Sequence, residues 1–297
     1  MNKTDKTFIF TFDNNIRSLE QYKVDNSKIT IIGEQHVQHS ESNISEFIND
    51  ILLNNDNTCV FLELDTKLVN DEIYMKGIQS STIKDIVQNF NKNRLNTRCL
   101  YYFDNRNDYL GVEGHYNLYF QLPKDINIDY YIQKYTEHYD NMSQYIKSKH
   151  RKIKKIIEDY EKIVIELPQY KNKPKRGRLQ IKNKMKQIVI LRDTIISEFR
   201  EFWANVIDEK LVIMMLDIIK NNPDTKYDLV VLVGTRHAHH LKHMFETIEE
   251  YRIEHITPPS WRTNNPRQVE QEPININWWD IISLSDLPEI NKYNFDI

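Results

Sequence analysis

The chain has 297 residues, a formal net charge of −3, 40% hydrophobic residues and 28% charged residues. These values are typical of a globular protein with one large or two ordinary domains, and they exclude an intrinsically disordered chain. Only two cysteines are present and no apolar stretch is long enough to span a bilayer, which excludes a disulfide scaffold and an integral membrane protein.

The same data give expectations for location and partners. The N-terminus lacks the pattern of a signal peptide, so we expect an intracellular, cytoplasmic protein with no membrane partner. The small net charge predicts no nucleic-acid partner. The substrate and the oligomeric state are unknown at this point. Asn, Ile, Lys and Tyr are abundant while Ala is nearly absent, which indicates an AT-rich genome. If that genome is viral, we expect the host-cell cytoplasm or the virion.

Four apolar segments predict buried strands: residues 28–33, 58–64, 99–103 and 227–233. They show no alternation of polar and apolar residues, as expected for parallel strands covered on both faces. Helical spacing of apolar residues predicts helices over 42–53, 82–91 and 238–250. We therefore expect an α/β fold with a mostly parallel central sheet flanked by helices.

The middle of the chain has a different pattern. Residues 126–220 are predicted to form a long inserted helical hairpin or cap, so that 1–125 and 221–297 form the α/β core that carries the site. The Lys- and Arg-rich stretch 170–184 divides this insertion into two long helices. Its charges could bind phosphate or nucleic acid, but it lacks interleaved aromatic residues and is predicted as a solvated loop.

Polar residues follow all four predicted strands. In open α/β sheets, ligands bind outside the carboxyl ends of the strands, where parallel strands bring such residues together. The residues concerned are Gly33, Glu34 and His36 after the first strand, Glu63 and Asp65 at the second, Asp104 and Arg106 at the third, and Gly234, Arg236 and His237 at the fourth.

Several of these residue types indicate chemistry. Glu63 lies in a buried apolar run, so its charge requires Arg106 or Arg236 as an ion-pair partner, or a metal or water. Gly33 and Gly234 are predicted backbone turns, each followed three residues later by a histidine. For Asp65 and Asp104, helix capping is an equal alternative.

Further histidines are secondary ligand candidates: His39, His115, His239, His240 and His243. His240 borders an apolar helix face, so simple packing is the alternative for it. The chain has no nucleophile-elbow, Walker A or Cys-x-x-Cys motif. The remaining chemistry is activation of water by histidines and carboxylates, with or without a metal.

The motifs "GEQH", "FLELD", "DNR" and "GTRH", in this order, resemble the superfamily of Tiki, TraB and PrgY proteins, erythromycin esterases and ChaN-type haem-uptake proteins. The resemblance covers about residues 28–115 and 227–250. It implies a parallel-sheet core and a hydrolase or haem-binding activity. His36 and His237 match the two motif histidines, Glu34 and Glu63 the acidic residues, and Arg106 the arginine.

The leading hypothesis is a hydrolase that cleaves an ester or peptide bond. Glu63 and His36 would activate water, alone or on a divalent metal (Mn, Co or Zn) bound by His36, Glu63 and His237. His237 would be a ligand or the acid, and Arg106 would stabilise the developing anion. Substrate binding is predicted for Glu34, Asp104 and Arg236. The alternatives are a haem- or metal-binding protein without turnover, and a catalytically inactive structural or interaction protein.

Overall fold

The structure is a computed structural model that describes residues 16–34, 45–46, 48–49, 52, 57–65, 67–78, 80–93, 100–170, 175–247 and 253–255. The predicted site residue His36 and the secondary candidate His39 lie outside this part of the chain. The chain divides into two units, of which the first combines Met1–Asp104 with Asp208–Ile297 and the second is Asn105–Ile207.

A six-stranded sheet forms the centre of the first unit. Its strands are β1 (Ile16–Val24), β2 (Ser27–Glu34), β3 (Thr58–Asp65), β4 (Leu100–Asp104), β5 (Asp228–Gly234) and β6 (Ile253–His255), in the order β4-β3-β5-β2-β1-β6. The four strands predicted from the sequence, β2 to β5, are parallel to one another. Strands β1 and β6 add an antiparallel edge that was not predicted. The predicted α/β fold with a mostly parallel sheet is confirmed.

The helices of the first unit include α1 (Glu72–Gly77), α2 (Ser81–Asn93) and α8 (Thr235–Thr247). Residues 45, 46, 48, 49 and 52 are also helical, within the segment where a helix was predicted. Strands β2, β3 and β5 are almost fully buried along their length, as expected for strands covered on both faces. A core cluster joins β3 and β5 to α2 through residues such as Leu62, Leu232 and Ile86.

The described part of the second unit is helical. It contains α3 (Arg106–Phe120), α4 (Ile128–Tyr139), α5 (Gln144–Lys149), α6 (Lys152–Glu166) and the first part of α7 (Lys175–Lys220). The described residues of the predicted insertion are therefore mostly helical. The unit spans 105–207, whereas the insertion was predicted over 126–220. Residues 175–184 are helical, so the solvated loop predicted over 170–184 is wrong for that part.

No helix in the described ranges is both long and apolar enough to cross a membrane.

Candidate metal centre

Glu63 lies where β3 passes the end of β5. The two strands pair in parallel register as far as Leu62 and Leu232, so the next residue of β3 faces the last residues of β5. The backbone N–H of Gly234 donates a hydrogen bond of 3.0 Å to Oε2 of Glu63. Helix α8 begins at the next residue, and its N-terminal partial positive charge also favours a carboxylate here.

His237 connects Glu63 to an aspartate that is distant in sequence. Its Nε2 lies 3.1 Å from Oε1 of Glu63, and its Nδ1 lies 2.6 Å from Oδ1 of Asp208. Carboxylate oxygens only accept hydrogen bonds, so both ring nitrogens carry a proton in this arrangement. His237 is therefore an imidazolium held between two carboxylates.

His240 lies one helical turn after His237 and completes the cluster. Its Nδ1 lies 2.8 Å from Oδ2 of Asp208, so the two oxygens of one carboxylate face the Nδ1 atoms of two histidines. The side chains are 0% exposed for Asp208, 8% for His237 and 7% for His240. A carboxylate without solvent contact requires such partners to stay ionised.

The charges around His237 determine its protonation. Burial alone lowers the pKa of His237, but the negative charges of Asp208 and Glu63 outweigh burial and raise this pKa to about 10. In the absence of a metal, His237 is thus charged at neutral pH.

The buried cluster of Asp208, His237 and His240 could hold a metal ion, because its ligand atoms all lie within 4.8 Å of one another. Two imidazoles and one carboxylate are a ligand set typical of Zn²⁺ and of similar divalent transition metals. The Nδ1 atoms would have to lose their protons to bind it. Glu63 would then accept from the Nε2–H of His237, as carboxylates behind metal-binding histidines commonly do.

Glu63 therefore lies behind a candidate ligand and outside the ligand cluster. The sequence pattern had predicted it as a ligand together with His36 and His237. Both of its oxygens already accept hydrogen bonds, from Gly234 and from His237. His237 is an ion-pair partner of Glu63. The sequence had suggested Arg106, Arg236, a metal or a water for this role, and had not suggested His237.

Residues Gly33 and Glu34 lie at the end of β2, beside the end of β5. Glu34 is buried and pairs in register with Gly234, and its carbonyl accepts a 3.1 Å hydrogen bond from Oγ1 of Thr235. Gly33 was predicted as a turn, but it lies inside β2. A Cβ at this position would collide with Oγ of Ser18 and lie 2.8 Å from Cβ of Ala238, so Gly33 allows α8 to pack closely on the sheet.

The other described residues of the predicted site are Arg236, Asp104 and Arg106. Arg236 is exposed on α8, and Asp104 is buried at the end of β4. In the second unit, the guanidinium of Arg106 is buried and stacks 4.6 Å above the ring of Tyr119.

The secondary ligand candidates lie in different parts of the structure. Oδ1 of Asp65 accepts hydrogen bonds from the backbone N–H groups of Lys67 and Leu68, in the turn over 67–70. His115 lies in the second unit, where its Nδ1 is 2.9 Å from Oδ1 of Asn107. On α8, His239 is exposed and His243 is partly exposed, whereas His240 belongs to the cluster.

Asp208 was missed by sequence reasoning, although the sequence contains a signal for it. The residues one helical turn away on either side, Ala204, Asn205, Leu211 and Val212, are all buried. Three of these four are apolar, so Asp208 lies on an apolar helical stripe. A carboxylate in such a stripe needs a buried partner, and this pattern alone could have identified Asp208 as a candidate ligand.

Comparison of the chain with protein-family models, with curated proteins and with solved structures finds no match.

Proposed function

We propose that the chain is a metal-dependent hydrolase that cleaves an ester or peptide bond, with the cluster of Asp208, His237 and His240 as its metal site. The proposal rests on one observation. The buried carboxylate of Asp208 forms hydrogen bonds with the Nδ1 atoms of His237 and His240, beside the carboxyl ends of β3 and β5. This edge is where α/β proteins bind their ligands.

The residues of the site have distinct roles in this proposal. A divalent metal would supply acidity, since it lowers the pKa of a bound water to about 7. Asp208, His237 and His240 would bind the metal. Glu63 would orient His237 and keep the proton on its Nε2. His36 retains its predicted role as a further ligand or base, two residues after Glu34.

Metal binding without turnover is the second candidate function. It is favoured by burial, because none of the three cluster side chains is more than 8% exposed. Structural metal sites are closed in this way, whereas catalytic sites keep a position open for water or substrate. Haem binding without turnover belongs to the same class of function, and its absorption spectrum distinguishes it.

The test compares metal-stripped and metal-reloaded protein in the hydrolysis of model esters and of peptide mixtures. The proposal expects activity only in the reloaded protein, its loss in His240→Ala, and its retention in His239→Ala. His239 is a matched control because it is exposed on the same helix. Stoichiometric metal with no hydrolysis of any substrate favours storage or structure. A Soret band in the purified protein favours haem, and neither metal nor haem contradicts both functions.

A further inference from the structure

The first part of α7 presents a surface that the proposed function does not use. Six residues of this helix are three or four positions apart in sequence and therefore share one face. We call this face the basic surface; it consists of Leu179, Lys182, Met185, Lys186, Val189 and Ile190, all of them exposed. Leu179 and Ile190 are each 64% exposed, and Val189 is 54% exposed.

The opposite side of the same segment is covered. Ile181, Lys184, Ile188 and Leu191 are only partly exposed, again at helical spacing. Nζ of Lys184 lies 2.7 Å from Oε2 of Glu166, at the end of α6. The segment is thus fixed against its own unit on one side, and a partner that encloses a whole helix could not bind it.

The charge of the segment selects the kind of partner. The charged residues of the basic surface are Lys182 and Lys186, and exposed Asp193 follows it three residues after Ile190. The other two basic residues of 179–192 are engaged on the covered side, where Lys184 pairs with Glu166 and Arg192 donates to the backbone carbonyl of Lys124. A second copy of the same face would bring like charges together, which disfavours self-association. The net charge of −3 does not weaken the local field, because charges further away than about 8 Å are largely screened at physiological salt.

The exposed aliphatic side chains decide between anionic partners. A phosphate backbone offers no place for Leu179, Val189 and Ile190, and the basic surface contains no aromatic side chain on which bases could stack. The surface of a bilayer can bind aliphatic and basic side chains at the same time. Aliphatic side chains enter the boundary between headgroups and acyl chains, while Lys182 and Lys186 extend toward lipid phosphates.

We propose that the basic surface of α7 binds peripherally to anionic phospholipid membranes. This differs from the expectation of no membrane partner, which rested on the missing transmembrane span and on the overall charge. A helix that lies in the interface needs neither. The proposal is independent of the metal centre and of hydrolysis.

The experiment is co-sedimentation of the full chain with two kinds of vesicle: phosphatidylcholine alone, and phosphatidylcholine mixed with phosphatidylserine. We expect binding to the mixed vesicles only, and release at high salt. Lys182→Gln combined with Lys186→Gln should weaken binding by about 30-fold, because each lysine at such a surface contributes about 1 kcal/mol, or about fivefold. Val189→Ser combined with Ile190→Ser should weaken it by at least about tenfold.

The matched control removes the same charge elsewhere in the second unit. Lys154 and Lys155 are exposed on α6, and Lys154→Gln with Lys155→Gln should leave vesicle binding unchanged. Circular dichroism and melting curves confirm that each variant is folded. Absence of binding to the mixed vesicles overturns the proposal, as does equal binding to phosphatidylcholine alone or an equal loss in the control. Preferential binding of RNA, or a dimer that the serine variant dissociates, also overturns it.

Discussion

Replacement of Asp208 by Asn tests the charge arrangement of the cluster in the metal-free protein. Asn preserves the size of the side chain but removes the charge that faces His237 and His240. It also replaces one acceptor oxygen by an amide that donates, so one Nδ1–H group loses its acceptor. His237 is then a buried cation with only Glu63 as its counter-charge.

The magnitude follows from the burial of Asp208, whose side chain is 0% exposed. Removal of one partner from a buried ion pair typically costs about 3–5 kcal/mol. For a unit of roughly 200 residues, each kcal/mol corresponds to about 2–4 °C in melting temperature, so Asp208→Asn should lower it by about 6–20 °C.

The assay is thermal unfolding followed by circular dichroism in the presence of a chelator, with Asp217→Asn as the control. Asp217 lies on the same helix, and burial raises the pKa of its carboxyl group, so loss of that charge should cost little. The reasoning is refuted if Asp208→Asn and Asp217→Asn melt within about 2 °C of each other.

Three further predictions concern the same unit. The pKa of His237 is raised from 6.5 to about 10, so its contribution to the stability of the metal-free protein is fully present below pH 6.5 and is lost as pH rises toward 10. Melting curves from pH 6.5 to 9.5 should show this loss in the wild type, and an identical pH profile in His237→Gln would contradict it. Glu63→Gln should weaken metal binding by about 10–100-fold, measured by calorimetry, and an unchanged affinity would exclude its orienting role. Gly33→Ala should cost about 1–3 kcal/mol in chemical unfolding, and Ala238→Gly in the same chain should recover part of it; a neutral Gly33→Ala would show that α8 packs less closely than described.

The sequence was sufficient to predict the parallel part of the sheet because β2, β3 and β5 are continuous apolar runs with a strong local signal. Strand β1 was missed because "IRSLEQYKV" mixes charged and apolar residues, as an antiparallel strand near the sheet edge can. Strand β6 has three residues, which is too short for a periodic signal.

The sequence could predict only those residues of the candidate site that lie at the ends of strands. Glu63 lies near the end of β3 and His237 follows the neighbouring parallel strand β5, so their proximity could be expected from topology. Asp208 lies on a helix 29 positions before His237, and no local pattern specifies which strand end that helix meets. His240 was a secondary ligand candidate with packing as the alternative, and nothing in the sequence pairs it with Asp208 on α7.

Calorimetric titration of metal-stripped protein with Zn²⁺ or Co²⁺ tests the central claim most directly. The account predicts one saturable site per chain, with proton release on binding because the Nδ1 atoms of His237 and His240 must lose their protons. Binding should be lost in His240→Ala and retained in His239→Ala. Absence of saturable binding to the wild type, or equal loss in the two variants, would contradict the assignment of Asp208, His237 and His240 as a metal centre.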